Sequence, residues 1–403
     1  MSAFGPWQPP ARRDIFDKIS TVPCAKERPV VQLSRRGWRA VAVATSCVAS
    51  LATLPTSAAA HPDPRAPEVV ATGLNNPRHL RWGDGGLYVA ESGLGGSGPC
   101  VASVGGPACY GTTGSITRVR EGGQRRVVTG LPSLAAKGGG SAIGPADVRV
   151  RGRRFDVVLG LEASPAVRAT LPGKAKFLGT LSRGHLGRSG LSIVADLAAY
   201  EASANPDGKQ LDTNPVALLS DGKRWHGRRD VLVDAGGNSL LGRSHRGRLR
   251  TLAVFPTTRV PGPSGALMPM DAVPTAAAYG PDGAIYVSQL TGFPFPAGGA
   301  SIWRVRPGHA PKKYASGLTT VTDLAFGRDG SLYAVQHTDK GLLSGSTGSV
   351  VRIPRGGGAS HRTVVSGLKA PYGIALHSGD AYVTTCSTCA GGGQVLRVPL
   401  RHH

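Results

Sequence analysis

Six imperfect copies of one four-strand unit, a matching strand written out of place near the N-terminus, and heavy glycine and proline punctuation predict an all-β chain. The architecture they predict is a six-bladed β-propeller closed by an N-terminal strand that completes the last blade.

The punctuation comes from 58 Gly and 31 Pro in 403 residues, with only 18% charged residues, which suits short strands and tight turns better than long helices. The formal charge is +23, and most of the cations are arginine. Such a chain attracts polyanions at low salt whatever its fold.

The first 60 residues read as a leader. The segment "SRRGWRAVAVATSCVASLATLPTSAAAHP" places Arg35, Arg36 and Arg39 ahead of an apolar run, then Ala58-x-Ala60 before His61. Export with cleavage after Ala60 is expected, by the general route or by a twin-arginine route that Ser34-Arg35-Arg36 loosely resembles. The apolar run from Ala40 to Leu54 is short for a membrane span, so none is expected. Residues 1 to about 30 read as an unstructured extension or as the product of an upstream start codon. Cys47 in "ATSC" makes a poor lipobox because Ala44 stands where leucine belongs. Removing residues 1–60 lowers the formal charge from +23 to +18.

The units open at Pro77, Pro145, Pro215, Pro274, Val321 and Pro371, roughly 50 to 70 residues apart, the length of a four-stranded blade with variable loops. "VPTAAAYGPDGAIYVSQLTG" from 273 and "TVTDLAFGRDGSLYAVQHTD" from 320 show the pattern best. Each is an apolar strand, an Asp-Gly turn and a second strand ending in a polar residue. Glycine supplies the positive φ that a twisted hairpin needs, so Asp221, Asp282 and Asp329 are read as turn formers and not as calcium ligands.

Fourth strands recur as "RRVVTGL", "KKYASGL" and "HRTVVSGL", and a further copy, "PEVVATGL", precedes the first unit. The sixth unit stops after its third strand, "QVLRVPL", so Val69 to Leu74 is expected to pair along Val395 to Val398 and hide an open edge. One domain therefore spans 61–403, with blades near 76–131, 145–200, 213–258, 273–318 and 320–368, and a last blade of 370–400 plus 68–74. In "LSIVADLAAYEAS" the first half reads as strand and the second has helical spacing.

Loops joining second to third strands gather on one face of a propeller around its channel, and here they are long and glycine-rich. Register places Glu91, Asp234, Gln289, Gln336 and Thr385 at equivalent second-strand ends, either a polar ring that funnels a ligand or cation, or simply strand ends that need polar side chains. "EASANPDGKQLDTNP" brings Glu201, Asn205, Asp207, Asp212 and Asn214 onto one loop, which suits a hard cation such as Ca2+ or an Asn-Pro-Asp-Gly turn. Asn76 and His79, in "NNPRH", stand at the entrance to the first inner strand, where His79 is a base, a ligand or a packed side chain.

Four cysteines follow the leader: Cys100 and Cys109 in the first blade's top loop, Cys386 and Cys389 in the sixth blade's. Pairing within each loop is the first expectation, cross-pairing would staple the closure seam, and a Cys386-x-x-Cys389 redox or zinc pair is the remaining alternative. "GLGGSG", Gly93 to Gly98, matches a dinucleotide fingerprint but runs into Pro99 and not a helix. The chain carries no G-x-S-x-G, H-E-x-x-H or P-loop. Its basic runs, "RVRGRRF", "KRWHGRR" and "RSHRGRLR", suit an acidic wall polymer better than nucleic acid in an exported protein, or are a solvated surface.

"GPDGAIYV" and "GRDGSLYAV" resemble NHL-type propeller repeats. Together with "GLNNPRHLRW", "NPDGKQLDTNP", "VDAGGNSLL" and "QLTGFPFPAGGASIWRV", the chain from 65 to 400 resembles the ScyD/ScyE family of exported propellers first associated with scytonemin gene clusters. The resemblance implies six blades and export but no established reaction. The degenerate second unit, which lacks Asp-Gly, and the long N-terminus depart from it. Two functions follow. The first is an exported, monomeric scaffold that binds a small molecule, a protein or a cell-wall polyanion on its loop-rich face. The second is a metal-assisted hydrolase, lyase or oxidoreductase resembling lactonase-type propellers, with a divalent cation held by Glu91, Asp234 and Asn214 or Asn238.

Overall fold

The computed structural model describes residues 66–103, 106–219 and 228–400. The leader and the Asp221 turn lie outside the described residues, as does the basic run "KRWHGRR" up to Gly227. Arg65–His403 groups as one compact unit, apart from Met1–Pro64.

Six antiparallel sheets follow the order of the six sequence units. Blade 1 is β2 (Pro77–Gly83), β3 (Gly86–Glu91), β5 (Gly106–Arg120) and β6 (Gly123–Ala135), with a short β4 (Cys100–Ser103) paired to the extended start of β5. Blade 2 is β7 (Pro145–Arg151), β8 (Arg154–Leu159), β9 (Thr180–His185) and β10 (Ser192–Asp196). Blade 3 is β11 (Pro215–Leu219), β12 (Arg228–Asp234), β13 (Ser239–Ser244) and β14 (Leu249–Val254). A separate hairpin of β15 (Thr258–Pro261) and β16 (Leu267–Met270) leads to blade 4: β17 (Pro274–Tyr279), β18 (Ile285–Gln289), β19 (Ala300–Val305) and β20 (Lys312–Leu318). Blade 5 is β21 (Val321–Phe326), β22 (Leu332–Gln336), β23 (Gly348–Ile353) and β24 (Arg362–Leu368).

Blade 6 holds β25 (Ile374–His377), β26 (Asp380–Thr385) and β27 (Gly393–Pro399) from the C-terminus, and its outer strand is β1 (Glu68–Leu74). The register sets Glu68 against Arg397, Val69 against Leu396 and Leu74 against Gly393. The displaced N-terminal strand thus closes the ring where the repeat pattern placed it.

The Asp-Gly turns behave as the hairpin argument requires. Gly283 and Gly330 hold φ of 75° and 80°, while the Oδ1 atoms of Asp282 and Asp329 accept from the N–H groups two residues on, at 3.2 and 3.1 Å. Blade 2 lacks the aspartate, and its neighbour supplies one: Gly152 N–H donates to Asp84 Oδ2 of blade 1's turn at 2.5 Å.

Between consecutive blades lies an apolar seam. Tyr88 and Ile116 pack with Val148 and Phe155 across blades 1 and 2; Val158 and Leu181 with Leu218 and Leu232 across 2 and 3; Val233 and Leu240 with Ile285 and Val287 across 3 and 4. Tyr286 and Ile302 meet Leu324 and Leu332 across 4 and 5, Val335 and Val350 meet Ile374 and Val383 across 5 and 6, and Leu74 and Val395 meet Leu80 and Val89 where the ring closes. Strands buried between two neighbours read as nearly continuous apolar runs, as "PVALL" and "IYVSQ" do.

Each seam also carries a polar staple. Ser92 Oγ donates to the Pro145 carbonyl at 3.1 Å, Leu218 N–H to Asp147 Oδ2 at 2.8 Å and Val273 N–H to Asn238 Oδ1 at 3.0 Å. Thr275 Oγ1 donates to Val321 O at 2.7 Å, Thr322 Oγ1 to Tyr372 O at 2.7 Å and Thr384 Oγ1 to Arg78 O at 2.8 Å. Gly373 is needed at the last seam, because a Cβ there would stand 2.7 Å from the Arg78 carbonyl.

Three features depart from the blade boundaries read in the sequence. Blade 1's outer hairpin extends to Ala135, because β5 runs 15 residues and projects past the sheet as a top-face arm. Blade 3 ends at Val254, and the β15–β16 hairpin follows it. Inside blade 2's top loop sit a short helix, α1 (Pro165–Ala169), and a 3-10 turn at Gly173–Phe177. The segment after 190 is strand and then helix, α2 (Leu197–Ala204), N-capped by Asp196 Oδ1 accepting from Ala199 N at 2.9 Å.

Closure makes a quantitative prediction. Leu74 is fully buried in the closing strand and Thr72 beside it is exposed. Leu74→Ala should lower unfolding free energy by about 2–5 kcal/mol, and Thr72→Ala by at most about 0.5 kcal/mol, read from urea denaturation of the protein.

Candidate functional site

The second-strand ends are braces. Glu91 is fully buried and accepts from Asn75 N at 2.7 Å, from Thr117 Oγ1 at 2.5 Å and from Arg126 Nη2 at 2.8 Å; Arg126 in turn reaches Gly73 O in the closing strand. Asp234 accepts from Thr213 Oγ1 at 2.6 Å and from the N–H groups of Asn214 and Gly237 at 2.7 and 3.3 Å. Gln289 Oε1 accepts from Trp303 Nε1 at 2.8 Å, and Gln336 Oε1 from Thr319 N at 2.7 Å. Thr385 is buried at the matching end. Three of these five side chains thus hold the backbone that delivers the chain to its own blade's first strand. The equivalence seen in the sequence is real, and its physical content is loop anchoring, since an acceptor at a strand end can satisfy a turn N–H that has no ladder partner.

Glu91 and Asp234 spend their oxygens on separate partners, and among the described residues no three His, Cys, Asp or Glu side chains converge as a metal cage. Asn214 Oδ1 accepts from Leu161 N at 3.3 Å, and Asn238 Nδ2 donates to Asp207 Oδ2 at 2.9 Å. Asn76, buried with φ 50°, donates to Gly93 O and Gly139 O at 2.7 and 2.8 Å and so fixes the loops over blade 1.

A different group gathers where inner strands begin. Arg78 follows the opening proline of blade 1, and Tyr372 follows that of blade 6. The guanidinium carbon of Arg78 lies 4.9 Å from the Tyr372 ring centroid. Arg78 Nε donates to Ser92 Oγ at 3.2 Å and Nη2 to Ala142 O at 2.7 Å. Half-buried, it forms no ion pair with a carboxylate among the described residues.

Around it stand three titratable groups. Glu162, at the head of blade 2's top loop, is partly open to solvent, and burial pushes its carboxyl up to about 7, against the pull of Arg78 and with a further push from Asp212. His337, next to Gln336 in blade 5, is pushed down to about 4 by burial, with Arg78 adding repulsion. Its Nδ1 lies 3.0 Å from Pro371 O, so the neutral ring donates there and keeps Nε2 as an acceptor. The Tyr372 hydroxyl is raised by burial.

His79 supports this group from behind. It is fully buried, with Nδ1 3.0 Å from Asp323 Oδ2 and its ring edge-on to Tyr372 at 5.0 Å. It is thus a packed, acid-oriented histidine that holds the Tyr372 ring.

The sequence reading placed His79 but passed over Arg78, Glu162, His337 and Tyr372. For two of them a signal existed, because Arg78 and Tyr372 occupy the same register, one past the opening proline, where the other units carry Ala146, Val216, Thr275 and Thr322. Glu162 and His337 lie in loops whose register no repeat fixes.

The acidic loop forms a second cluster. Glu201 in α2 is buried, and its carboxyl is pushed up to about 7 by burial and then by the charges of Asp234, Asp207 and Asp212. Asp234 rises to about 6 through burial, opposed by its hydrogen bonds. Glu162 N–H donates to Thr213 O at 3.0 Å, which ties the two clusters together.

The four cysteines pair within their loops, Cys100 with Cys109 directly across the β4–β5 ladder and Cys386 with Cys389. No helix among the described residues is long and apolar enough to cross a membrane.

The raised carboxyl of Glu162 and the lowered imidazole of His337 act on stability in opposite pH ranges. Glu162 contributes fully below its ordinary 4.5, and the contribution fades as pH climbs through about 7. His337 contributes fully above its ordinary 6.5 and loses that contribution as pH falls through about 4. Thermal unfolding across pH should show Glu162→Gln making the decline between pH 4.5 and 7 shallower, with the share from Glu201 and Asp234 remaining, while leaving the acid limb intact.

No protein-family model and no curated protein matches the chain. Solved structures similar to it include a glucose dehydrogenase at 13% identity and TM-score 0.45, the alignment covering 83% of this chain and 99% of that one. Others are a catalytically inactive virginiamycin B lyase from Staphylococcus aureus with quinupristin, at 10% identity and TM-score 0.41 over 83% and 88% of the two chains, and a nidogen/laminin complex at 13% identity and TM-score 0.38 over 68% and 84%. The likeness is one of fold.

Proposed function

We propose that the protein is an exported, ScyD/ScyE-like propeller that binds a small anionic ligand at its channel mouth, with Arg78 facing the ligand's acid group. One observation carries the reading: a half-buried guanidinium, fixed by Ser92, Ala142 and the Tyr372 ring, with no carboxylate paired to it among the described residues. A cation kept out of bulk water gains most from an anion that arrives with matching geometry, because the low dielectric strengthens the attraction and two nitrogens are already held in place. Tyr372 offers the ligand an aromatic face, and His337 Nε2 an acceptor. Two disulfides support export, since such bonds persist in oxidising compartments.

Enzymatic acid–base chemistry is the second reading, supported by Glu162, whose carboxyl near 7 suits proton transfer at neutral pH. On this reading the ligand is a substrate and Glu162 the proton acceptor.

Benzoate and 4-hydroxybenzoate, with benzamide as the neutral control, should separate these claims in calorimetric titrations. The acids should bind and the amide should not, and Arg78→Gln should weaken acid binding by about tenfold to a hundredfold. Binding should also fall as pH rises through about 7, where Glu162 gains its charge, and Glu162→Gln should flatten that fall. Equal binding of acid and amide, or salt-sensitive retention on heparin that Arg78→Gln leaves unchanged, would move the function to the basic outer surface.

A further inference from the structure

The C-terminal end of α2 presents two oxygens that nothing in the fold uses. Glu201 is 1% exposed, and its Oε1 has no hydrogen-bond partner. Asn205, the left-handed C-cap of the same helix at φ 38°, spends its Nδ2 on Lys209 O at 2.9 Å and leaves Oδ1 buried without a partner. The two are four residues apart, and Asn205 N–H closes the last turn onto Glu201 O at 2.9 Å. A buried acceptor without a donor costs free energy, and two of them at one helix C-terminus, where the dipole is negative, mark a place that a cation would stabilise.

The surroundings sharpen this. The charges of Asp207, Asp212 and Asp234 all bear on Glu201. The nearby ammonium, Lys209, turns to Asp271 and stands 3.9 Å from Asp207 Oδ2. Gly237 leaves room beside the carboxylate, for a Cβ there would lie 2.9 Å from Glu201 Oε2 and 3.6 Å from Asp234 Cγ.

We propose that this end of α2 binds a hard divalent cation of the calcium class, with Glu201 Oε1 and Asn205 Oδ1 as its side-chain ligands and Asp207, Asp212 and Asp234 supplying the surrounding negative field. The donors are one carboxylate and one amide oxygen. That oxygen-rich, irregular set matches calcium, which accepts carbonyls and variable geometry, better than zinc or magnesium. The cation would brace the 205–214 loop, whose Thr213 carbonyl holds Glu162 N–H, and so steady one wall of the channel mouth. The inference does not depend on what the channel mouth binds.

The test uses chelator-treated mature protein, followed by thermal unfolding and calorimetric titration with calcium chloride, with magnesium chloride and sodium chloride at matched ionic strength as controls. Calcium alone should raise Tm by several degrees, because a ligand that binds only the native state stabilises it by mass action. Glu201→Gln and Asn205→Gly should each abolish the calcium-specific rise. Glycine tolerates the left-handed backbone at 205, so Asn205→Gly decides the matter if Glu201→Gln does not fold. An unchanged Tm with calcium, equal effects of calcium and magnesium, or an undiminished calcium response in a folded Asn205→Gly protein would each overturn the proposal, leaving Glu201 as a buried, protonated acid.

Discussion

Closure of the ring is the constraint from which the rest follows. Without Glu68–Leu74 on β27, blade 6 would be a three-stranded sheet with an open outer edge, and the seam that joins Leu74 and Val395 to Leu80 and Val89 would lose Ala71 and Leu74. With it, every blade has two neighbours and every seam is apolar. The polar staples then fix the inner strands at short range, through Ser92, Asp147, Asn238, Thr275, Thr322 and Thr384. Each staple gives a backbone group at a seam a partner in the neighbouring blade, which stiffens the channel wall.

Rigidity of that kind separates side chains that hold the fold from those left for a ligand. Glu91, Asp234 and Gln336 are chemically attractive, but their oxygens are committed to turn N–H groups. Arg78 differs because its fixed contacts are to a hydroxyl, a carbonyl and an aromatic face, and it forms no ion pair with a carboxylate among the described residues. His79 belongs to the first group: its Nδ1, 3.0 Å from Asp323 Oδ2, joins blade 1 to blade 5 across blade 6's inner edge.

Two groups of opposite sign act near Glu162. Arg78 lowers its carboxyl, while Asp212, from the acidic cluster with Glu201, Asp207 and Asp234, raises it, and its N–H is held by Thr213 O. A change of charge at Arg78 or Asp212 is therefore felt at Glu162.

The repeat, the closing strand and the cysteine pairing were legible in the sequence, because each rests on local physics that linear order preserves. Asp-Gly turns need positive φ, apolar strands alternate with them, and a lone fourth strand has one place to go. The equivalence of Glu91, Asp234 and Gln336 was legible too, though not what they bond, since that depends on where the preceding linker runs. Only the tertiary structure decided that Arg78, Glu162, His337 and Tyr372, drawn from blades 1, 2, 5 and 6, meet around one channel, and that Glu201 and Asn205 are buried without donors. Ring closure brings residues almost 300 positions apart into contact, as Arg78 and Tyr372 are, and no pattern along the chain encodes which side chains will then lack a partner.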